Sequence, residues 1–289
     1  MDTGTSSTEG RSTHRADGVR EFTLGDGARL AYRWDGPVGA PVLVLSNALG
    51  TSLGMWDAQI GAFSRTHRVL RYDTRGHGRS SSPPGAYSID RLGRDVLELL
   101  DGLSVPRVHF CGLSLGGMIG QWLAVHAHER IERLVLANTA PYLGPAEAWQ
   151  ARIETVMRDG MDAVADASVA RWFTPRFSTA HPREVAELRE ALVSMSRGGY
   201  AGCCAAIRDM DLRPIARLIH APTLLIVGVQ DPSTSPRDAA LLAGPMPRPP
   251  ERVDLRAAEL SNVERPGEFT RAVLDFLAPS HLEQGAATL

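Results

Sequence analysis

Short runs rich in apolar residues alternate with segments of helical periodicity along most of the chain, and few folds accommodate that pattern. Apolar runs without polar alternation are typical of strands buried on both faces of a sheet. The candidate strands are PVLVLSNAL, RVLRYD, VHFCGLS, RLVLANT, TLLIVGVQD and RVDL. The candidate helices between them are MWDAQIGAF, SIDRLGRDVLELLDGL, LGGMIGQWLAVHAH and FTRAVLDFL. Strands that alternate with helices predict an α/β fold with a mostly parallel, doubly wound sheet.

Two local signals add detail to this prediction. EFTL and ARLAYRW flank Gly-Asp-Gly, a combination that predicts a β-hairpin near the start of the fold. In the second candidate helix, Ile89, Leu92 and Val96 recur at helical spacing, and Ser88 stands where an N-cap is expected.

One long stretch departs from the alternation, because it has helical patterns and no convincing strand. It covers about residues 140–217 and begins just after a predicted strand, at the sheet edge where α/β folds place their sites. We therefore interpret it as a helical cap over a site rather than as an unrelated domain. The predicted core is then residues 19–139 and 218–278. Polar tails at 1–18 and 279–289 are predicted to be disordered, and the first lacks the apolar stretch of a signal peptide.

The composition excludes several classes of function. All 31 basic residues are arginine, so no lysine is available for a Schiff base or a phosphate-binding P-loop. A formal net charge of −2 and the lack of any apolar run near the roughly 18 residues of a membrane helix predict neither a nucleic-acid nor a membrane partner. The three cysteines (Cys111, Cys203 and Cys204) have neither disulfide nor zinc spacing, so we expect buried thiols in a reducing cytoplasm.

The segment Gly112–Gly117, GLSLGG, carries the sharpest motif, G-x-S-x-G. An apolar strand precedes it and a helical segment follows. In that context the motif is typical of a nucleophile elbow, a sharp turn that presents a serine hydroxyl at a helix N-terminus. Ser114 is therefore the candidate nucleophile, and a glycine-rich turn with an incidental serine is the alternative.

A nucleophilic serine needs partners, and the sequence offers candidates. Donors to an oxyanion are expected from the backbone amide of Leu115 and from the loop after VLVLSN, where the amide of Ala48 is the candidate. An acid is expected after a later strand, and Asp231 directly follows TLLIVGVQ. The alternative for Asp231 is a surface residue that opens the turn Asp-Pro-Ser.

With these residues in place, the chain resembles the α/β-hydrolase superfamily and, within it, the 3-oxoadipate enol-lactonases. The resemblance covers about residues 20–278 and is carried by SNALGTSLGMWDAQ, RYDTRGHGRS, GLSLGGMIGQWLA, RWFTPRF, GYAGCCAAIRDMDLR and LSNVERPGEF. It implies an α/β-hydrolase fold with a cap over residues 140–215, a triad that includes Ser114 and Asp231, and an oxyanion hole at Ala48 and Leu115. It also implies a small carboxylated lactone or ester as substrate, and neither a metal nor an organic cofactor.

One position departs from the family pattern. The resemblance implies a catalytic histidine just before Leu-Ser-Asn, but Glu259 stands there, and residues 221–280 contain no histidine. A glutamate, with a reference pKa of about 4.3, is a weaker base than an imidazole at about 6.5, although burial or a nearby Asp231 can raise its pKa. We predict that Ser114 and Glu259 face each other across a pocket roofed by helices.

Three functions stay open after this departure. The chain can be an esterase or lactonase with altered base catalysis. It can be an enzyme of another class, such as a lyase, isomerase, decarboxylase or cyclase, in which Glu259 moves a proton. It can also be a non-catalytic binding protein, although the presence of both Ser114 and Asp231 argues against this. His77, in Arg-Gly-His-Gly, is the best substitute base, but its motif favours a structural loop histidine.

A carboxylated substrate calls for an arginine that binds its carboxylate. The candidate substrate contacts are Asn47, Trp149, Arg152, Arg171, Trp172 and Arg176. Phe173 is a further candidate for the pocket roof. For the arginines the alternative is a solvated surface position, and for the aromatic residues it is the core of the cap. The sequence leaves the oligomeric state open.

Overall fold

The structure, a computed structural model, describes residues 18–278, and eight strands in that range form one sheet. The strands are β1 (Arg20–Thr23), β2 (Arg29–Asp35), β3 (Val42–Ser46), β4 (Arg68–Tyr72), β5 (Val108–Leu113), β6 (Ile131–Ala137), β7 (Thr223–Gly228) and β8 (Glu251–Leu255). Their order across the sheet is β1-β2-β4-β3-β5-β6-β7-β8.

Only the first edge of the sheet is antiparallel. The predicted hairpin is present, since β1 pairs antiparallel with β2, and β2 then pairs antiparallel with β4. Every other neighbouring pair is parallel. The mostly parallel sheet of the α/β-hydrolase fold is therefore confirmed, and the carboxyl ends of six strands meet at one edge, where such folds bind ligands.

The helices lie between the strands, as the alternation predicts. They are α1 (Asp57–Phe63), α2 (Ile89–Gly102), α3 (Leu115–His126), α4 (Ala146–Asp159), α5 (Asp162–Trp172), α6 (Pro175–Ala180), α7 (Pro182–Val193), α8 (Arg197–Asp209), α9 (Pro236–Ala243), α10 (Ser261–Glu264) and α11 (Pro266–Leu277). Helix α3 packs on β3, β5, β6 and α2, whereas α11 packs on β7, β8 and α1. Buried apolar side chains between the sheet and these helices form the core.

The start of α2 illustrates how the sequence sets a helix boundary. The Ser88 hydroxyl accepts a hydrogen bond from the Arg91 amide at 3.0 Å, which satisfies one of the free N–H groups of the first turn. The apolar positions Ile89, Leu92 and Val96 are buried, as their helical spacing predicts. The N-cap prediction for this helix is confirmed.

Five helices, α4 to α8, occupy the chain between β6 and β7, and this part of the chain contains no strand. Gly160 separates α4 from α5. Gly160 has φ 87°, a left-handed conformation that ends α4 and that glycine adopts without steric penalty. The division into a core and a cap at residues 140 and 217 stays a prediction.

Two further observations concern the whole described range. Within residues 18–278, no helix is long and apolar enough to cross a membrane. The thiols of Cys111, Cys203 and Cys204 are free and buried, as predicted for the side chains themselves.

Candidate active site

Ser114 lies in a tight turn between β5 and α3, with φ 53° and ψ −113°. Such a conformation is rare for a residue with a side chain and marks a strained position. Two glycines make room for it. A Cβ atom on Gly112 would lie 2.1 Å from the carbonyl oxygen of Gly116, and one on Gly116 would lie 2.1 Å from that of Ser46. The G-x-S-x-G motif therefore forms the strand–turn–helix elbow that its context predicts.

The Ser114 hydroxyl donates a hydrogen bond to Oε1 of Glu259 at 2.8 Å. Both residues are buried, with exposed fractions of 4% and 7%, and both line the same cavity. Glu259 reaches this position from the loop between β8 and α10. The structure thus brings together the two side chains whose proximity the sequence analysis required.

The pKa of Glu259 is raised to about 7, and the largest cause is burial, because the charged carboxylate loses its hydration. The negative charge of Asp231 contributes to the rise, since like charges disfavour double ionisation. The hydroxyls of Ser114 and Ser233 and the positive charge of Arg152 act in the opposite direction. A carboxyl group with this pKa can both accept and release a proton near neutral pH.

Asp231 lies in the loop after β7, and its carboxylate accepts hydrogen bonds from four donors, none of which belongs to residue 259. Its Oδ1 accepts from the amides of Ser233 and Thr234, at 2.7 and 3.0 Å. Its Oδ2 accepts from the Thr234 hydroxyl at 2.6 Å and from Nδ2 of Asn138 at 2.9 Å. The pKa of Asp231 is raised, because the effect of burial outweighs that of these donors. The donors favour the charged form of Asp231, and that charge in turn raises the pKa of Glu259.

Asn138 is a site residue that the sequence analysis missed. Directly after β6, it has φ 43° and donates through Nδ2 to both Asp231 and the carbonyl oxygen of Ala258, the second at 3.0 Å. Its Oδ1 accepts from the Ser261 hydroxyl at 2.5 Å. One amide thus connects the Asp231 loop to the Glu259 loop. Its position after a parallel strand was the only signal in the sequence.

The two candidate oxyanion donors differ in their surroundings. The Leu115 amide, at the first position of α3, has no hydrogen-bond acceptor among residues 18–278, and the first turn of a helix leaves such N–H groups free. The Ala48 amide points at the sulfur of Met55 at 3.4 Å, and a thioether is a weak acceptor. An oxyanion next to Ser114 can therefore bind Leu115 directly and can compete with the sulfur for Ala48.

His77 lies behind the Ala48 loop rather than beside Ser114. Its Nε2 accepts from the Gly50 amide at 2.9 Å, and burial lowers its pKa to about 4. Gly50 in turn has φ 82° and packs against Trp172, so a side chain there would be strained and crowded. A neutral His77 that holds this loop agrees with the structural interpretation of its motif.

The cavity above Ser114 and Glu259 has a volume of about 430 Å³ and is roofed by side chains from α4, α5 and α8. Arg152 and Arg171 both line it, and both donate to the Ser168 hydroxyl, at 3.4 and 3.3 Å. Neither arginine forms an ion pair within the part of the chain that the structure describes. Two cations with no carboxylate in ion-pair contact therefore face a partly open, partly apolar space, and Arg152 is near enough to Glu259 for its charge to lower the pKa of that carboxyl group.

The other predicted substrate contacts divide into two groups. Trp149 and Trp172 line the cavity. Asn47, Arg176 and Phe173 do not: the side chain of Asn47 is buried against Trp56 and the Tyr72 backbone, Arg176 is exposed, and Phe173 packs in the core. The geometry gives these three no contact with a substrate in the cavity. Among residues 18–278, no group of three or more His, Cys, Asp and Glu side chains could hold a metal.

Comparison with known proteins places the chain among α/β hydrolases. Residues 41–177 match a family model described as the alpha/beta hydrolase fold. The chain is 45% identical over 244 residues to 3-oxoadipate enol-lactonase 2 of Acinetobacter baylyi, covering 84% of this chain and 91% of that protein. A solved hydrolase from Pseudomonas aeruginosa matches with a TM-score of 0.89 at 49% identity, over 92% of this chain and all of that one. The enol-lactonase from Burkholderia xenovorans matches with a TM-score of 0.87 at 44% identity, over 89% and 99% of the two chains.

Proposed function

The chain belongs to the α/β-hydrolase fold family, and from that premise we propose that it hydrolyses a small carboxylated lactone or ester with a serine–glutamate pair. In this proposal Ser114 is the nucleophile and Glu259 is the general base and acid. The observation that supports it most directly is the 2.8 Å hydrogen bond from the Ser114 hydroxyl to Glu259 inside the cavity. The names of the relatives, which are enol-lactonases and hydrolases, support the reaction class.

In the first half of the reaction, Oγ of Ser114 attacks the substrate carbonyl carbon while Glu259 accepts the hydroxyl proton. The negative charge on the carbonyl oxygen is stabilised by the amides of Leu115 and Ala48. The bond from the carbonyl carbon to the ring or ester oxygen then breaks. The leaving oxygen takes the proton from Glu259, and the acyl group stays on Ser114.

The second half repeats these steps with water. Glu259, ionised again, accepts a proton from a water molecule that attacks the acyl carbon. The same two amides stabilise the second oxyanion. The bond to Ser114 breaks, its oxygen recovers the proton from Glu259, and the carboxylic acid product leaves. Each turnover consumes one water molecule and regenerates both Ser114 and the ionised Glu259, so atoms and charge balance over the cycle.

A glutamate suits this role only because its pKa is raised to about 7. At the usual value of about 4.3 it would be too weak a base to activate a serine hydroxyl. Asp231, which in a histidine triad would orient the imidazole, here acts through its charge. An enol lactone is a favourable substrate for such a site, because its leaving group is an enolate, which is less basic than an alkoxide and needs less help from an acid.

The substrate class follows from the cavity. Arg152 and Arg171 face it without an ion-pair partner among the described residues, so a carboxylate on the substrate would give them one. Trp149 and Trp172 supply apolar walls. A volume of about 430 Å³ fits a small molecule.

A second candidate is a reaction in which Glu259 moves a proton on the substrate and Ser114 forms no covalent bond. The half-protonated state of Glu259 near neutral pH favours it, since the same carboxyl group can remove and return a proton. The two amides would then stabilise an enolate oxygen. Isomerisation and decarboxylation belong to this class.

Ser114→Ala, Glu259→Gln and the exposed control Ser194→Ala separate the two candidates. The substrates are 4-nitrophenyl acetate and 3-oxoadipate enol-lactone. Hydrolysis through an acyl-enzyme requires that both site variants lose turnover and that a fluorophosphonate labels the parent and Ser194→Ala but not Ser114→Ala. Turnover that survives Ser114→Ala and disappears in Glu259→Gln would support the proton-transfer candidate instead. Turnover unaffected by either site variant would contradict both candidates.

A further inference from the structure

The end of α5 runs beside the loop that carries Glu259, and backbone hydrogen bonds join the two directly. The amide of Glu259 donates to the carbonyl oxygen of Arg171 at 3.4 Å, and the amide of Leu260 donates to that of Trp172 at 3.0 Å. The end of α5 places Arg171 and Trp172 in the roof of the cavity. The loop after β8 places Glu259 next to Ser114.

The Glu264 carboxylate connects the same two segments where a direct backbone hydrogen bond is not possible. The amides of Thr174 and Ala258 are both donors, so they need an acceptor between them. Oε2 of Glu264 accepts from both, at 3.2 and 3.1 Å, and its Oε1 accepts from the Thr174 hydroxyl. Glu264 is buried, so its loss would leave buried amides without a partner, which is destabilising. We call residues 171–174, residues 258–260 and Glu264 the roof strap.

We propose that Glu264 is a positioning residue that fixes the Glu259 carboxyl and the Arg171 guanidinium relative to each other. Ala258 directly precedes Glu259, and Thr174 follows Arg171 by three residues. One carboxylate therefore sets the position of the candidate base and of a candidate substrate-binding cation. This inference rests on the proposed role of Glu259 as a proton acceptor.

The roof strap also keeps water from Glu259. Burial is the largest cause of its raised pKa, and the charged or titratable groups that face it are Asp231 after β7, Arg152 on α4 and Tyr200 on α8. Loosening the strap lets water reach the carboxyl group while those neighbours keep their charges. The pKa of Glu259 then falls towards its ordinary value, and the carboxyl group becomes a weaker base.

The test uses Glu264→Ala and Thr174→Val, with Thr174→Ser and Thr179→Val as controls. Thr174→Ser keeps the hydroxyl that bonds Glu264 and that accepts from the Phe177 amide. Thr179 lies on α6, the helix that Thr174 caps, and its hydroxyl donates only to the Pro175 carbonyl oxygen at an exposed position. The pKa of Glu259 is read from the pH dependence of the unfolding free energy, compared with Glu259→Gln in each background. kcat and KM are measured for a carboxylated and an uncharged ester.

We expect Glu264→Ala and Thr174→Val to lower the pKa of Glu259 and to reduce kcat roughly 10- to 100-fold, because small displacements of a catalytic group have effects of that size. KM should rise more for the carboxylated ester, and both controls should behave like the parent. A lower stability with an unchanged pKa of Glu259 and unchanged KM would overturn the proposal, since a purely structural Glu264 predicts that result. If Glu264→Ala does not fold, the comparison of Thr174→Val with Thr174→Ser decides whether Glu264 has a positioning role. The pKa of Glu259 is measured without turnover, so a parent protein that fails to hydrolyse esters contradicts the proposed function but leaves the proposal for Glu264 to be decided by the titration.

Discussion

The Ser114 hydroxyl donates to the Glu259 carboxyl across 2.8 Å, although 145 residues separate the two in the chain. The contact joins the elbow after β5 to the loop after β8, at the edge where the parallel strands end. A carboxyl group in that position must be basic enough to take a hydroxyl proton and acidic enough to return it. Its burial next to Asp231 meets both conditions, and several measurable consequences follow from it.

The pH dependence of hydrolysis should report Glu259. Because the ionised carboxylate accepts the proton, kcat/KM should rise with pH along a single acid limb with an apparent pKa of about 7. Glu259→Gln should lower kcat/KM by roughly four orders of magnitude, as the loss of a triad member does. Stopped-flow or steady-state assays from about pH 3 to about pH 9 would check this. A limb near pH 4 would show that the carboxyl group is not desolvated.

Asp231→Asn should move that limb to lower pH. Removing the fixed negative charge makes ionisation of Glu259 easier, so the pKa of Glu259 falls. The exposed control Asp254→Asn, whose carboxylate pairs with Arg252, should leave the profile unchanged. If the limb of Asp231→Asn stays in place, the two carboxyl groups do not interact through their charges.

Glu259→Gln should stabilise the fold, and the gain should depend on pH. The pKa of Glu259 is raised to about 7 in the folded state, so folding favours the protonated form. Its contribution is fully present below about pH 4.3, the value for an unfolded chain, and is lost as pH rises through 7. The variant avoids this loss, so its advantage should grow over that interval by on the order of 3 kcal/mol. Denaturant unfolding at pH 4 and pH 8 measures it, and an equal difference at both pH values would contradict it.

Glu259→His should increase hydrolysis of 4-nitrophenyl acetate. An imidazole at this position has a pKa suited to both proton steps, and its charged form is favoured by the adjacent Asp231. We expect a gain of about 100-fold in kcat/KM, the lower end of the range for an added general base. Loss of activity on every ester tested would instead support the proton-transfer candidate, in which Glu259 has its own role.

Arg171→Met should weaken binding of carboxylated substrates selectively. A hydrogen bond to a charged group contributes about 1.5–3 kcal/mol, so KM for a carboxylated ester should rise roughly 10- to 100-fold. KM for 4-nitrophenyl acetate should change little. Arg176→Met is the matched control, because Arg176 is exposed and does not line the cavity. Equal changes for the two esters would argue against a carboxylate contact at Arg171.

The sheet and the reacting pair could be predicted because each depends on short-range signals. Apolar runs identified the strands, the G-x-S-x-G motif located Ser114, and chain order placed Asp231 and Glu259 at the same sheet edge. The direction of individual side chains was not predictable in this way. Asn47 precedes Ala48 and was expected to face a substrate, yet its amide donates to the Tyr72 carbonyl and its oxygen accepts from Trp56.

Residues that act through contacts distant in sequence were also missed. Asn138 bonds partners 93 and 120 residues away, and Glu264 bonds Thr174 across 90 residues. Nothing in a local pattern distinguishes such an asparagine or glutamate from a solvated one. Only the closed fold shows that each is buried between two loops, where its hydrogen-bonding groups match the donors and acceptors that face it.

The four donors around Asp231 have a consequence for how this site can change. None of these donors belongs to residue 259, so replacing that residue leaves all four hydrogen bonds to the Asp231 carboxylate in place. Position 259 can therefore carry a carboxyl, an amide or an imidazole group while the buried charge of Asp231 keeps its hydrogen-bond donors. In the proposed mechanism, the groups that stabilise Asp231 are therefore separate from the residue that serves as the base, so a substitution at position 259 alone can alter the chemistry of the site.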